Sequence, residues 1–133
     1  DDGAYTDVTN CMMLAAIPGT HGDGGTVNIT NTAVPSNGGL DQTVTTYAGK
    51  AATTTTLRRF LVGPKGCEIT GVAETPDGKA LFINVQHPGE NTSAANIATP
   101  ALFESGWPGT SGVDRPRSTT IVITKNDGGL IGS

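Results

Sequence analysis

Aromatic residues are scarce in this chain: three Phe, two Tyr and one Trp among 133 residues. Charged residues make up only 15% and apolar residues 35%, so any core is thin. No apolar run approaches the roughly 20 residues that a membrane-spanning helix needs. Cations are also few, with eight Lys and Arg against twelve Asp and Glu. A net charge of −4 carries no electrostatic footprint for nucleic acid. The two cysteines, Cys11 and Cys67, belong to no CxxC pair, which removes the usual support for zinc. One disulfide, two thiols and a metal ligand all stay open for them. The sequence has no GxSxG, no HExxH and no phosphate-cradling GxxxxGK[ST]. Only His21 and His87 could serve a Ser-His-Asp triad, and neither has a supporting context. No signal peptide is visible.

What the chain has in quantity is glycine (19) and threonine (21). Both weaken helices, and threonine favours strands, so the expectation is an all-β, turn-rich single unit over residues 1–133. Residues 10–17 (NCMMLAAI) form a strand-length apolar run closed by Pro18-Gly19. Residues 27–30, 43–50, 53–62 and 118–125 are further β-prone stretches, and residues 31–41 read as an exposed loop. Residues 88–112 are mostly loop, with room for a short helical turn at 99–104. Residues 18–56 stand as a loop insertion between two recognisable strands.

The densest signal lies at residues 60–90. Residues 67–75 (CEITGVAET) are rich in β-formers, Pro76-Asp77-Gly78-Lys79 is a turn, and residues 80–85 (ALFINV) are a second strand. Strict alternation puts Glu68, Thr70, Val72 and Glu74 on one face and Cys67, Ile69, Gly71 and Ala73 on the other. Neither face is uniformly polar, so both are expected to be packed at least in part. Sheets covered on both faces occur in β-propellers, where the first strand of a blade lines a central channel. In that setting Glu68, just after the Gly63-Pro64-Lys65-Gly66 turn, would aim its carboxylate at the axis.

These residues resemble a known family. GPKGCEITGVAETPDGKALFINVQHPGE (63–90), RPRSTTIVIT (115–124) and NDGGLIG (126–132) are similar to the C-terminal part of the PhoX-type bacterial alkaline phosphatases. The opening DDGAYTDVTNCMMLA and the later LRRFLVGP resemble the same region, while residues 18–56 depart from it. The resemblance implies the C-terminal fragment of a six-bladed β-propeller, from a metal-dependent phosphatase that hydrolyses phosphomonoesters. It also implies calcium and iron held by axial carboxylates, export by the twin-arginine route, and a periplasmic or secreted bacterial enzyme. Glu68, with its Thr75-Pro76-Asp77-Gly78 turn, occupies the place of a metal-bearing carboxylate in such enzymes.

The departures shape the expectation further. Six blades of about 40 to 50 residues need twice this length or more. Neither Cys11 nor Cys67 stands in a context that matches the family's iron-binding cysteine. The fragment alone is therefore expected to hold an incomplete site and to be inactive. Its partners would be a small phosphomonoester and the remainder of the propeller, with no nucleic acid and no membrane. Exposed blade edges would favour self-association.

Each candidate residue has a plainer role beside the functional one. Glu68 suits a hard cation, but a glutamate at a strand end also pairs with a cation such as Lys65 or Arg58. Lys65 could neutralise a phosphate oxygen or be a solvated turn lysine. His87 could face substrate phosphate, ligate a metal or protonate a leaving group, or it could tie a loop down. Glu90 is a cap or a loop ligand. Asp2, Asp7 and Asn10 offer oxygen donors of the kind calcium takes, or form a loose terminus. Asp23 reads as a turn residue, and Arg115 and Arg117 as loop anchors. Two readings of other classes compete: a non-catalytic β structural or binding module, and a calcium-dependent lactonase-like hydrolase.

Overall fold

A computed structural model describes residues 8–133. Its strands are β1 (Met12–Ala16), β2 (Thr26–Asn31), β3 (Gln42–Tyr47), β4 (Leu57–Val62), β5 (Glu68–Glu74), β6 (Ala80–Gln86) and β7 (Thr119–Thr124). The only helix among the described residues is two 3-10 turns, Pro35–Asn37 and Pro100–Leu102, so the fold is all-β. No helix there is long and apolar enough to cross a membrane.

The chain divides into two compact units. The first comprises residues up to Ala15 together with Arg59–Ser133; the second is Ala16–Arg58. In the first, β5, β6 and β7 form an antiparallel sheet with β6 at its centre, and β1 pairs with β4. In the second, β2 and β3 form a hairpin running from Thr26↔Tyr47 to Asn31↔Gln42. Threonine and asparagine hydroxyl and amide groups bond across this hairpin, as between Thr45 Oγ1 and Asn28 Oδ1 at 2.7 Å. No described residue of the second unit is buried.

The core lies in the first unit. Leu81, Ile83 and Val85 project from one face of β6 and are buried, and Cys11, Cys67 and Val85 form a cluster against which Ile69, Trp107 and Ile121 pack. Burying a side chain such as Ile83 stabilises by about 1.5–3 kcal/mol. The opposite face of β6, with Phe82, Asn84 and Gln86, is exposed, whereas at the start of β5 Glu68 and Thr70 on one face and Ile69 on the other are half-buried.

Strict alternation along β5 also fails. Thr70 pairs with Asn84, and the next registered pair is Val72↔Ile83, because a bulge falls at Gly71. Gly71 has φ +57, a conformation that costs other residues strain, and it shifts the strand by one position. Glu68 and Thr70 thus share the face of Asn84 and Gln86, whereas Val72 is registered with buried Ile83. Residues 53–56 are another difference. They form a threonine turn instead of extending β4, since Thr56 Oγ1 accepts the Thr53 N–H at 2.8 Å and the Thr56 N–H bonds Thr53 O. Local hydroxyl bonding competes here with the strand ladder.

Candidate functional site

Two turns meet at the start of β5. The Gly63-Pro64-Lys65-Gly66 turn enters the strand, and His87-Pro88-Gly89-Glu90 follows β6 directly. Because Glu68 opposes Gln86 across the hairpin, both turns fall at the same end of the sheet. Backbone bonds join them: the Gly89 N–H donates to Lys65 O at 2.9 Å and the Glu90 N–H to Gly66 O at 3.2 Å. Gly66 at φ +65 and Gly89 at φ +75 supply the left-handed conformations that such close turns need. Asn10 anchors the first turn from below, its Nδ2 donating to Gly63 O at 3.1 Å. Asp2 and Asp7, the other members of that proposed oxygen-donor set, lie outside the described residues.

The turns bring Glu68, His87 and Glu90 together. Glu68 Oε2 is 3.7 Å from His87 Nε2, and Glu90 Oε2 is 3.0 Å from His87 Nδ1. Nδ1 is closed off from solvent, yet its approach to Glu90 lacks hydrogen-bond angles. His87 itself sits at φ +34, an unusual conformation for a non-glycine residue, and its N–H donates to Ser118 Oγ at 2.9 Å. The His87 backbone is thereby tied to Ser118, just before β7, and its ring is flanked by a carboxylate on each nitrogen. Strain of this kind gathers at functional sites.

Lys65 faces another acidic residue. Its Nζ is 3.8 Å from Glu104 Oε1, and its side chain is 65% exposed against 14% for Glu104. Glu104 drew no attention in the sequence, where only a helical turn was expected around it. Its Oε2 accepts the Asn91 N–H at 3.0 Å, and its own N–H donates to Thr92 Oγ1 at 3.0 Å. A glutamate inside a polar loop gives no pattern signal; the fold alone carries it to the site.

The remaining candidates have plainer surroundings. Cys11 and Cys67 are buried, and Cys11 Sγ accepts the Ile69 N–H at 3.4 Å, just beyond Glu68. Arg115 lies over the Phe103 ring at 5.3 Å, and the Arg117 N–H bonds Trp107 O at 3.1 Å. Asp23 accepts backbone N–H groups from Thr20 at 3.3 Å and from Lys50, which makes it a turn residue of the second unit. His21 stacks at a tilt on Tyr47, with centroids 4.5 Å apart.

Chemically, the end of the sheet offers carboxylate oxygens and an imidazole, donors that suit hard or borderline cations. Glu68, at a strand mouth and 39% exposed, fits as one ligand. Among the described residues no group of three or more His, Cys, Asp or Glu is arranged to hold a metal ion, so a full coordination sphere needs further donors.

The sequence profile of the alkaline phosphatase PhoX matches residues 7–89, a span that includes Lys65, Glu68 and His87. Among solved structures, Pseudomonas fluorescens PhoX in complex with vanadate, a transition state analogue, is 34% identical, with a TM-score of 0.47. The match covers 86% of this chain and 19% of that one, so the chain spans less than a fifth of the solved protein's length. No curated protein matches significantly.

Proposed function

The chain belongs to the PhoX alkaline phosphatase family, and from that premise we propose that it contributes one carboxylate, Glu68, to the metal centre of a phosphomonoesterase. The profile match through residues 7–89 carries the reading, because it spans the strand mouth at which Glu68 stands. Residues 1–133 form the C-terminal portion of a six-bladed propeller, with β5 as an innermost strand and residues 18–56 as an insertion. The protein acts in the periplasm or outside the cell, and its metals are calcium and iron.

When bound, the metals supply positive charge to the phosphate oxygens and offset the charge that develops during transfer. The chain's own residues hold and orient. Glu68 presents a carboxylate from a strand whose backbone is pinned on both sides, by the Gly63–Asn10 bond before it and by Ile69–Cys11 after it. Lys65 stands as a point charge for the phosphate. His87, held between Glu68 and Glu90, is the group best sited to meet a phosphate oxygen beside the cation. With few ligands of its own the piece is inactive alone, and the open edges of β5 and β7 leave it prone to self-association.

The test is Glu68→Gln in the full-length protein, with calcium and iron measured alongside p-nitrophenyl phosphate turnover. Loss of a metal ligand should lower metal content and reduce the rate by about 100-fold or more. Unchanged metal content and rate would remove Glu68 from the centre. Turnover of a lactone in preference to the phosphoester would favour the lactonase-like reading instead.

A further inference from the structure

Glu104 is mostly buried, yet it contacts the first turn of the site and the residues that directly follow the second. One oxygen, Oε2, accepts the Asn91 N–H at 3.0 Å and lies against Gly66, where any Cβ would collide with it. The other, Oε1, faces the Lys65 ammonium at 3.8 Å. The Glu104 N–H returns a bond to Thr92 Oγ1 at 3.0 Å, so two bonds fix the segment around Glu104 to residues 91 and 92. Those residues continue from Gly89 and Glu90, which bond the Lys65 and Gly66 carbonyls. The carboxylate therefore sits beneath a closed circuit of backbone bonds, with one oxygen used by that circuit and one left for Lys65.

We infer that Glu104 is a positioning residue for Lys65, holding its ammonium beside the Glu68 end of the sheet in readiness for a phosphate oxygen. The inference rests on the reading of Lys65 as a phosphate-facing cation. Two features argue for holding over neutralising. The 3.8 Å separation is well beyond the 2.7–2.9 Å typical of a charge-assisted bond, so the ammonium keeps its donors for an anion. Part of the carboxylate's charge is also taken up by the Asn91 N–H. A lysine stem that is 65% exposed would otherwise sample many rotamers, and ordering it on binding would weaken affinity.

A double-mutant cycle in the full-length protein tests this. Glu104→Gln keeps an oxygen for the Asn91 N–H and a similar shape over Gly66, and removes the charge facing Lys65. KM for p-nitrophenyl phosphate and Kd for inorganic phosphate should rise several-fold, with kcat within about twofold and the melting temperature unchanged. A purely structural role would lower the melting temperature and move kcat with KM. Lys65→Met should raise the same two constants, and adding Glu104→Gln to it should change them no further. If Lys65→Met raises KM but Glu104→Gln does not, the positioning role is overturned and the phosphate role of Lys65 stands. If Lys65→Met leaves KM unchanged, both fall. An undiminished Glu104→Gln effect on top of Lys65→Met also overturns the inference, since the effect then bypasses Lys65.

Discussion

Asp77 shows how a single turn residue acquires its electrostatics. The Thr75 hydroxyl donates to its Oδ1 at 2.7 Å and the Lys79 N–H at 3.2 Å, and these bonds hold its carboxyl below the usual carboxylate range. Asp114 is lowered in the same way, first by the Ser111 hydroxyl and then by the Ser111 N–H. A depressed pKa means that folding favours the ionised form. The stabilisation is then full above the unfolded value of about 3.9 and is lost as pH falls through the folded value. Thr75→Val should move the Asp77 titration up towards the ordinary value, and Ser111→Ala should do so for Asp114, both read by carboxyl NMR shifts across acid pH. Titrations that do not move would mean that these hydroxyls do not set the charge. Asp77 was legible in advance, since Pro-Asp-Gly announces a turn. Glu104 was not, because nothing in its neighbours along the chain says what it will face.

The bulge in β5 is the element on which the site depends. Alternation by itself assigns Glu68, Thr70, Val72 and Glu74 to one face, and Gly71 breaks that series after Thr70. Adding a Cβ at Gly71 would force φ +57 on an L side chain and bring the new atom to 2.7 Å from Asn84 Nδ2. Gly71→Ala should therefore destabilise the first unit by roughly 1–3 kcal/mol. Denaturant unfolding followed by the fluorescence of Trp107, which packs against the core cluster, would register the change. An unchanged midpoint would show that the bulge forms without its glycine. The hairpin partners of β5 and β6 were readable from the Thr75–Ala80 turn chemistry. The register shift was not, because a strand glycine marks a bulge or a close approach without saying which.

At the scale of the molecule, the second unit leaves and returns at adjacent points. The Ile17 N–H donates to Thr56 O at 2.9 Å, one residue beyond the end of β1 and one before the start of β4. Replacing residues 18–55 by Asn-Gly, a two-residue hairpin turn, should leave the first unit folded with the Trp107 emission of the parent chain. A red-shifted spectrum in the shortened protein would show that the first unit needs those residues.

Composition and local pattern settled the all-β class, the turn at Pro76–Gly78 and the neighbourhood of Glu68, because strand propensity and turn chemistry act between residues close in the chain. Only the tertiary structure decided that His87 stands between Glu68 and Glu90, that Lys65 faces Glu104, and that one face of β6 lies open. Those relations depend on which distant segments pack together, and on a one-residue bulge that resets the register between β5 and β6.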